Sequence, residues 1–433
     1  MSEKFDAIVV GAGLAGSAAA YQMASDGLSV LLVEKGKTPG SKNVSGGRMY
    51  THALEKLVPN WHEEAPFERV VTREAVTFLT PSDAVHLEYD SARLAKERNS
   101  INVLRAKFDP WFASKAEQKG ALLANETRVD DLWIEDGRCR GIVTGGDRFE
   151  SDVTVLAEGA NWMLTERAGF RESPPNPEIL AVGAKMVLEL GEEEMDRRFG
   201  LGPGEGVAEV LVGSFTRGVE GGGFLYTNKS SVSLGVVTPT KPGMQLGQAR
   251  KTPIFEMMED LRTHPYLARK LAGATVAEYS SHLIPEKGLK AVPKRLVKGG
   301  LVLAGDCAGF VLNMGLSFRG MDFAIESGRL AGVAAREAKE AKDFSASQLA
   351  SYERALAKSF VIKDLKRFKR AGDFLSTPRL YTTYPEMAAD LFHEIYHVRG
   401  EQQKPSRIAR KVVLRHASPF ALLRDALGGA RAL

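Results

Sequence analysis

Cys139 and Cys307 are the only cysteines in 433 residues. Two thiols cannot supply the four thiolates of an iron–sulfur cluster, and so few give no disulfide framework. The implied compartment is reducing. Long apolar runs are missing too: no stretch of about eighteen uncharged apolar residues offers a bilayer-spanning helix. The opening MSEKFDAIVV lacks a basic n-region and a cleavage site, so no secretory signal is expected. The N-x-S/T triplets at Asn43, Asn125 and Asn228 then carry no glycosylation meaning. Basic residues are not interleaved with aromatics as single-strand binders require, which argues against a nucleic-acid partner. A net charge of +4 suits an anionic cofactor or an acidic protein surface. Internal repeats, low-complexity tracts and a second G-x-G-x-x-G are also absent, so no separate nicotinamide domain is expected.

What is present is a soluble globular composition, 44% hydrophobic and 26% charged, long enough for two or three domains. Its most informative stretch is FDAIVVGAGLAGSAAAYQMASDGLSVLLVEK. An apolar strand (Ala7 to Val10) enters the turn Gly11-Ala12-Gly13-Leu14-Ala15-Gly16. A small-residue helix from about Leu14 to Ser25 follows, then a second strand (Val30 to Val33) and an acid, Glu34. That order is a dinucleotide-binding βαβ unit. Gly11 allows the tight turn, Gly13 lets backbone approach a pyrophosphate, and Gly16 lets helix and strand pack closely. The helix N-terminus offers free N–H groups to phosphate. Glu34 suits a ribose 2′-hydroxyl and would repel a 2′-phosphate, which argues against NADP. The stretch leaves FAD and NAD both open.

A glycine-rich loop comes next, in which Gly46 and Gly47 permit close ligand approach and Lys42 and Arg48 carry positive charge. A plain solvated turn is the competing reading. At NVLRAKFDPWFASKAEQKGA an amphipathic helix is expected, with Phe108, Phe112 and Ala116 on one face and Asp109-Pro110 as cap and first position. Asp136-Gly137 and Gly145-Gly146 read as hairpin turns. Residues 166–290 look antiparallel, with GGGFLYTN and SVSLGVV as strands and one helix from about Ile254 to His264. A buried strand, Leu301 to Ala304, then ends in Gly305-Asp306, and a helix runs from about Gly320 to Ala338. The last ninety residues read as helical and basic; they could meet an anionic membrane surface, a partner subunit or their own domain. His393-Glu394-Ile395-Tyr396-His397 matches the zinc-peptidase pattern H-E-x-x-H, but with no clear third ligand it reads as a helix surface. Cys307 reads as a small buried residue rather than a redox thiol.

Three separated segments, Gly11 to Glu34, VLRAKFD and LAGDCAGFVLNMGLSFRGMD, resemble glutathione-reductase-type flavoproteins of the geranylgeranyl reductase and p-hydroxybenzoate hydroxylase branch. The resemblance implies FAD. It also implies a fold of mixed α/β and α+β class: a discontinuous Rossmann-like FAD domain, an inserted antiparallel-sheet domain for quinone or substrate, and a helical C-terminal region. The expected boundaries are 1–74 with 101–165 and 291–340 for FAD, 75–100 with 166–290 for the insert, and 341–433 for the helices. By resemblance Gly11, Gly13, Gly16 and Glu34 hold the ADP half, and Leu14, Ala15 and Lys35 also bind the cofactor. Lys42, Gly46, Gly47, Arg48, Arg105 and Gly159 lie against the cofactor, as do Gly305, Asp306, Gly315 and Leu316. Asp306 would take the ribityl chain. Where the branch commonly has A-D-G, this chain has Ala157-Glu158-Gly159.

GSKNVSGGRMY, GGGFLYTN and EYSSHLIPEKGLKAVPKRLVKGGLVLAGDCAG further resemble the FixC proteins, relatives of electron-transfer-flavoprotein:quinone oxidoreductase. This similarity implies a peripheral protein on the cytoplasmic membrane face that reduces quinone. Electrons would come from electron-transfer flavoprotein subunits (FixA and FixB), with a ferredoxin-like subunit (FixX) supplying the cluster that two cysteines cannot hold. Gly222, Gly223 and Phe224 would line the quinone pocket; a glycine bulge is the alternative. No catalytic side chain and no metal is assigned. Two other functions fit the same motifs, a reductase of isoprenoid double bonds and a flavin-bound scaffold without activity.

Overall fold

The computed structural model describes residues 4–41, 46–171, 176–250 and 255–433. Five parallel strands organise the first of its two large sheets. Lys4–Val10 pairs in parallel with Val30–Val33 on one side and Asp147–Leu156 on the other. Leu122–Ala124 and Leu301–Leu303 extend the sheet outward, also in parallel. Covered on both faces, these strands are near-continuous apolar runs, as parallel strands must be. Their C-terminal ends, at Val10, Val33, Leu156 and Leu303, open on one edge. That edge is where open α/β sheets bind ligands.

Two helices pack together behind this edge. Leu14–Ser25 leaves the glycine turn, and the long helix Met321–Ala341 returns the C-terminal half of the chain to the same place. A Cβ at Gly328 would collide with the Ala15 carbonyl and lie 3.0 Å from the Ala18 Cβ. Backbone therefore rests on backbone, and both helix N-termini sit at the strand ends. Tyr352, fully buried, fastens the following helix by donating to the Leu303 carbonyl at 2.7 Å.

The second sheet has nine strands and is largely antiparallel; its one parallel pair joins Phe67–Leu79 to Glu205–Gly213. Gly46–Tyr50 and Ser100–Leu104 pair within it. It thus draws on chain that the sequence reading assigned to the cofactor unit. Three helices, Thr240–Arg250, Phe255–Thr263 and Pro265–Lys270, follow its strand Ser231–Pro239 where a single helix is expected from sequence, and the last two pack its far face. Met257, Met258, Leu261 and Leu267 fill a second core there, each fully buried.

The hairpin expectations hold. Asp136, Gly137, Gly145 and Gly146 all have positive φ, between +50° and +89°, as type I′ turns require. The expected helix start at Asp109-Pro110 does not hold. The helix is Arg105–Gln118 and Pro110 lies inside it, because the Asp109 carboxylate binds the Arg105 guanidinium instead of capping. Phe108, Phe112 and Ala116 do form its buried face, and burying each phenyl ring contributes about 1.5–3 kcal/mol. No described helix is long and apolar enough to cross a membrane.

The helix contact sets the first test. Gly328→Val should lower the urea midpoint with unchanged slope, by an overpacking cost of about 1–3 kcal/mol. An unchanged midpoint would mean that the helices do not meet through backbone.

Candidate functional site

At the sheet edge lies one cavity of about 1300 Å³ that both sheets and the C-terminal helices share. A pocket for one drug-sized ligand measures roughly 300–1,000 Å³, so there is room here for a dinucleotide and a second molecule. Gly11, Gly13, Leu14 and Ala15 form one end, with Glu34 and Lys35 beside them. The helix that starts there has Gly13 as its cap residue, no side-chain cap bond and no acid in its first turn. Its first N–H groups have no intrahelical acceptor and face the cavity edge, as a phosphate site requires. At Gly11, φ is +99° and a Cβ would sit 2.5 Å from the Ala157 carbonyl oxygen. Gly16 does not line the cavity; a Cβ there would collide with the Gly11 carbonyl, so it acts by holding helix to turn.

Glu34 accepts N–H from Ala12 at 3.1 Å and Gly36 at 2.6 Å. Those two bonds orient the carboxylate against the glycine turn and leave acceptor positions for a ligand hydroxyl. Arg105 is clamped by Asp109 through two bonds of 2.6 Å, and Asp109 is fully buried. Lys42 lies outside the described residues. Gly46 and Gly47 also line the cavity; a Cβ would collide with the Val103 carbonyl at Gly46 and come within 3.0 Å of Met321 at Gly47. Arg48 lines it too, but Glu74 pairs with its guanidinium, so its charge is largely answered within the protein. Gly159, Gly305, Asp306, Gly315 and Leu316 complete the sequence-derived set on the same cavity wall. Glu158 lines the cavity too, but its carboxylate accepts from the Leu164 and Thr165 N–H groups at 3.0 and 2.7 Å, and so caps a short helix.

Along Gly222–Thr227 the side chains alternate. Gly222, Phe224 and Tyr226 are partly open, while Gly223 and Leu225 are buried. Gly222 has no neighbour closer than 3.5 Å to an added Cβ and leaves space in the cavity. Gly223 contributes backbone to the wall, but its missing side chain makes room for Leu261, Leu211 and Phe215 on the other side. The Phe224 ring lies over Gly235 and stacks on Tyr226, with centroids 4.8 Å apart. Phe374, Leu375, Leu380, Tyr381 and Leu433 from the C-terminal helices close this end.

Several wall residues carry no sequence signal. Lys185 and His282 stand on neighbouring antiparallel strands, where Gly183 is opposite His282. Burial and the Arg105 charge bring the Lys185 ammonium down to about 8, with Asp306 opposing. Burial, Lys185 and Arg105 hold His282 at about 3, hence neutral. Burial raises the Asp306 carboxyl, while Arg105 and Lys185 pull it back. They escaped notice because an alternating strand gives no spacing motif. Cys307 is fully buried, its thiol pushed up to about 12 by desolvation, and Cys139 is buried and raised as well. Neither is a reactive thiolate. In the H-E-x-x-H stretch Glu394 is paired with Arg415 at 3.0 Å, and the described residues contain no cluster of three ligands for a metal.

Two family models match the chain. "FAD dependent oxidoreductase" matches residues 6–159, and "ETF-QO/FixC family C-terminal domain" matches residues 371–433. A probable electron transfer flavoprotein-quinone oxidoreductase from Escherichia coli K12 is 42% identical, covering 100% of this chain and 99% of its own. A protein FixC from Salmonella typhi is 39% identical over all of both chains. Among solved structures, a geranylgeranyl bacteriochlorophyll reductase-like protein from Thermoplasma acidophilum superimposes with a TM-score of 0.72. It covers 98% of this chain and 99% of its own at 18% identity, a likeness of fold. The cofactor is FAD, and the uncapped helix end, the glycine cradle and Glu34 fit it.

FAD brings two phosphate charges into the cavity, so its binding favours the ammonium form of Lys185. That linkage gives the sign: affinity should fall as pH rises past about 8, and Lys185→Met should bind more weakly with that pH dependence removed. Fluorescence titration of apoprotein with FAD measures both. Gly11→Ala, strained by its φ and by the Ala157 carbonyl, should purify without flavin absorption.

Proposed function

Since this chain belongs to the FixC family of electron-transfer-flavoprotein:quinone-oxidoreductase-like FAD oxidoreductases, we propose that it passes electrons from a protein donor to membrane quinone. The observation that carries this reading is the continuity of the cavity. One end has the glycine turn, Glu34 and Arg105 for FAD; the other is an apolar, glycine-bearing strand roofed by Phe374, Leu375 and Tyr381. Gly222 and that roof line the same cavity, which is where this reading puts the planar acceptor. FAD when bound supplies redox chemistry that accepts electrons singly and releases them in pairs. The protein's residues do the rest. Arg105 and Lys185 supply positive charge, Asp306 offers a hydroxyl acceptor, and the apolar roof excludes water.

Electrons have to enter from outside. Both cysteines are buried singly in cores, so no cluster can assemble on this chain. A ferredoxin-like FixX-type subunit and electron-transfer flavoprotein subunits of the FixA and FixB kind are the partners this reading requires. The residues from Gly11 to Leu316 named from sequence are its cofactor set, except Gly16, which holds helix to turn, and Lys42, which lies outside the described residues; Gly222, Gly223 and Phe224 are its quinone set.

Attachment to the cytoplasmic membrane face is supported by the C-terminal helices. Tyr396 and Phe420 are 77% and 76% exposed, and Leu414 and Leu423 are also open to solvent. Arg407, Arg410 and Arg431 are exposed on the same helices with no ion pair among the described residues, a mixture suited to an anionic interface. Leu433, at the end of these helices, lines the cavity, so a quinone could arrive from the bilayer side.

Anaerobic mixing of dithionite-reduced protein with a short-chain ubiquinone or menaquinone analogue tests the reading. Return of the oxidised flavin absorption with quinol formation is expected. Flavin that stays reduced with both analogues would refute it.

A further inference from the structure

On the wall of the apolar end, next to the start of the glycine strand, stands an acid with no role so far. Glu286 accepts a hydrogen bond from the Asn313 amide on Oε1, while its Oε2 is fully buried without any hydrogen-bond partner. The Asn313 orientation is set by its own Oδ1, which accepts the Gly315 N–H at 2.8 Å. The amide NH₂ must therefore point at Glu286, and the unpartnered oxygen is the one left to carry a proton. Both residues line the cavity, as do Gly221, Gly222 and Tyr381.

We propose that Glu286 is the acid that delivers a proton to the quinone as it is reduced. The proposal rests on the quinone reading above. Quinone becomes quinol by gaining two electrons and two protons. FAD, when bound and reduced, would supply the electron pair and one of the two protons. The second proton leaves Glu286 Oε2: the carboxyl O–H bond breaks, a quinol O–H bond forms, and the carboxylate later regains a proton from solvent.

The groups around Glu286 agree with that role. Burial raises its carboxyl above the usual range, the Glu220 charge raises it further, and Asn313 and Lys287 act the other way. Each raising influence favours the acid form that a proton donor needs, and the unpartnered Oε2 is the place for its proton. Glu220 also provides the way in from solvent. Its carboxylate is bound by Lys287 at 3.0 Å and by the exposed Ser376 hydroxyl at 2.7 Å, and it precedes Gly221 in the chain. Tyr381, the other hydroxyl near these acids, is occupied, since it donates to the Leu375 carbonyl at 2.6 Å. Lys185, which also bears a proton in this cavity, has Asp306 to answer its charge.

Glu286→Gln in the flavin-loaded protein is the test, with Glu286→Asp as the conservative variant and flavin absorption as the check on loading. Reduced protein is mixed with a quinone analogue, which takes up protons, and separately with ferricenium, which takes up none. The expected result for Glu286→Gln is a loss of about 100-fold or more in quinone reduction, within the range for general acid catalysis, with ferricenium reduction retained. Glu286→Asp should recover part of the quinone rate. In ¹³C-glutamate-labelled protein, the carboxyl resonance missing from Glu286→Gln should remain in the acid form at neutral pH. An unchanged quinone rate in loaded Glu286→Gln, an equal loss with ferricenium, or a carboxyl that ionises in the ordinary range would overturn the proposal. If wild-type protein reduces ferricenium but not quinone, the quinone reading itself fails and the proposal falls with it.

Discussion

The whole architecture depends on missing Cβ atoms at one crossing. Gly11, Gly16 and Gly328 each occupy a place where a methyl group would strike a backbone carbonyl. Because none is present, the first helix lies against its turn, and the long C-terminal helix lies against the first. Interiors packed to crystal-like density do not yield the space that such a methyl would need. Sequence positions more than 300 residues apart thereby place two helix N-termini at the ends of the same parallel strands. A phosphate site built from N–H groups is only as good as that convergence.

Electrostatics then divides the cavity into two working halves. Near the turn, Arg105 is held by a buried carboxylate, and Lys185 is held less firmly, by Asp306 alone, while His282 stays neutral between them. An anionic cofactor completes this balance, since charges act strongly on each other where water is excluded. At the far end the charges are acidic and mostly answered: Arg48 is spent on Glu74 and Lys287 on Glu220. Glu286 remains, with one buried oxygen that no protein group binds. Positive charge thus gathers where negative charge must be held.

Much of the first half is legible in sequence because it is local. The βαβ unit compresses turn, dipole and acid into about thirty residues, and each needs a particular residue type. Asp306 was named as an acid at a strand end and, by the resemblance, as a cofactor residue, and it lines the cavity. Lys185, His282 and Glu286 were not named. Lys185 and His282 stand on neighbouring strands of a second sheet, and alternation along one strand says which face a residue takes but not what stands opposite; Glu286 lies in the loop after Thr275–Ile284, where no periodicity applies. The helix start at Arg105 was misplaced because Asp-Pro is a good local cap, whereas here Asp109 pairs with Arg105 one turn before it in the same helix. The roof of Phe374, Leu375 and Tyr381 was hidden because its apolar residues look, in sequence, like any amphipathic helix turning inward.

The account rests on one cavity serving two ligands in sequence. A crystal structure of the flavin-loaded protein soaked with a quinone analogue tests it most directly. The account requires the pyrophosphate at the N-terminus of Leu14–Ser25 and the quinone ring between Gly222 and Tyr381, with an oxygen facing Glu286. A cavity filled by FAD alone, or a quinone bound elsewhere on the surface, would contradict it.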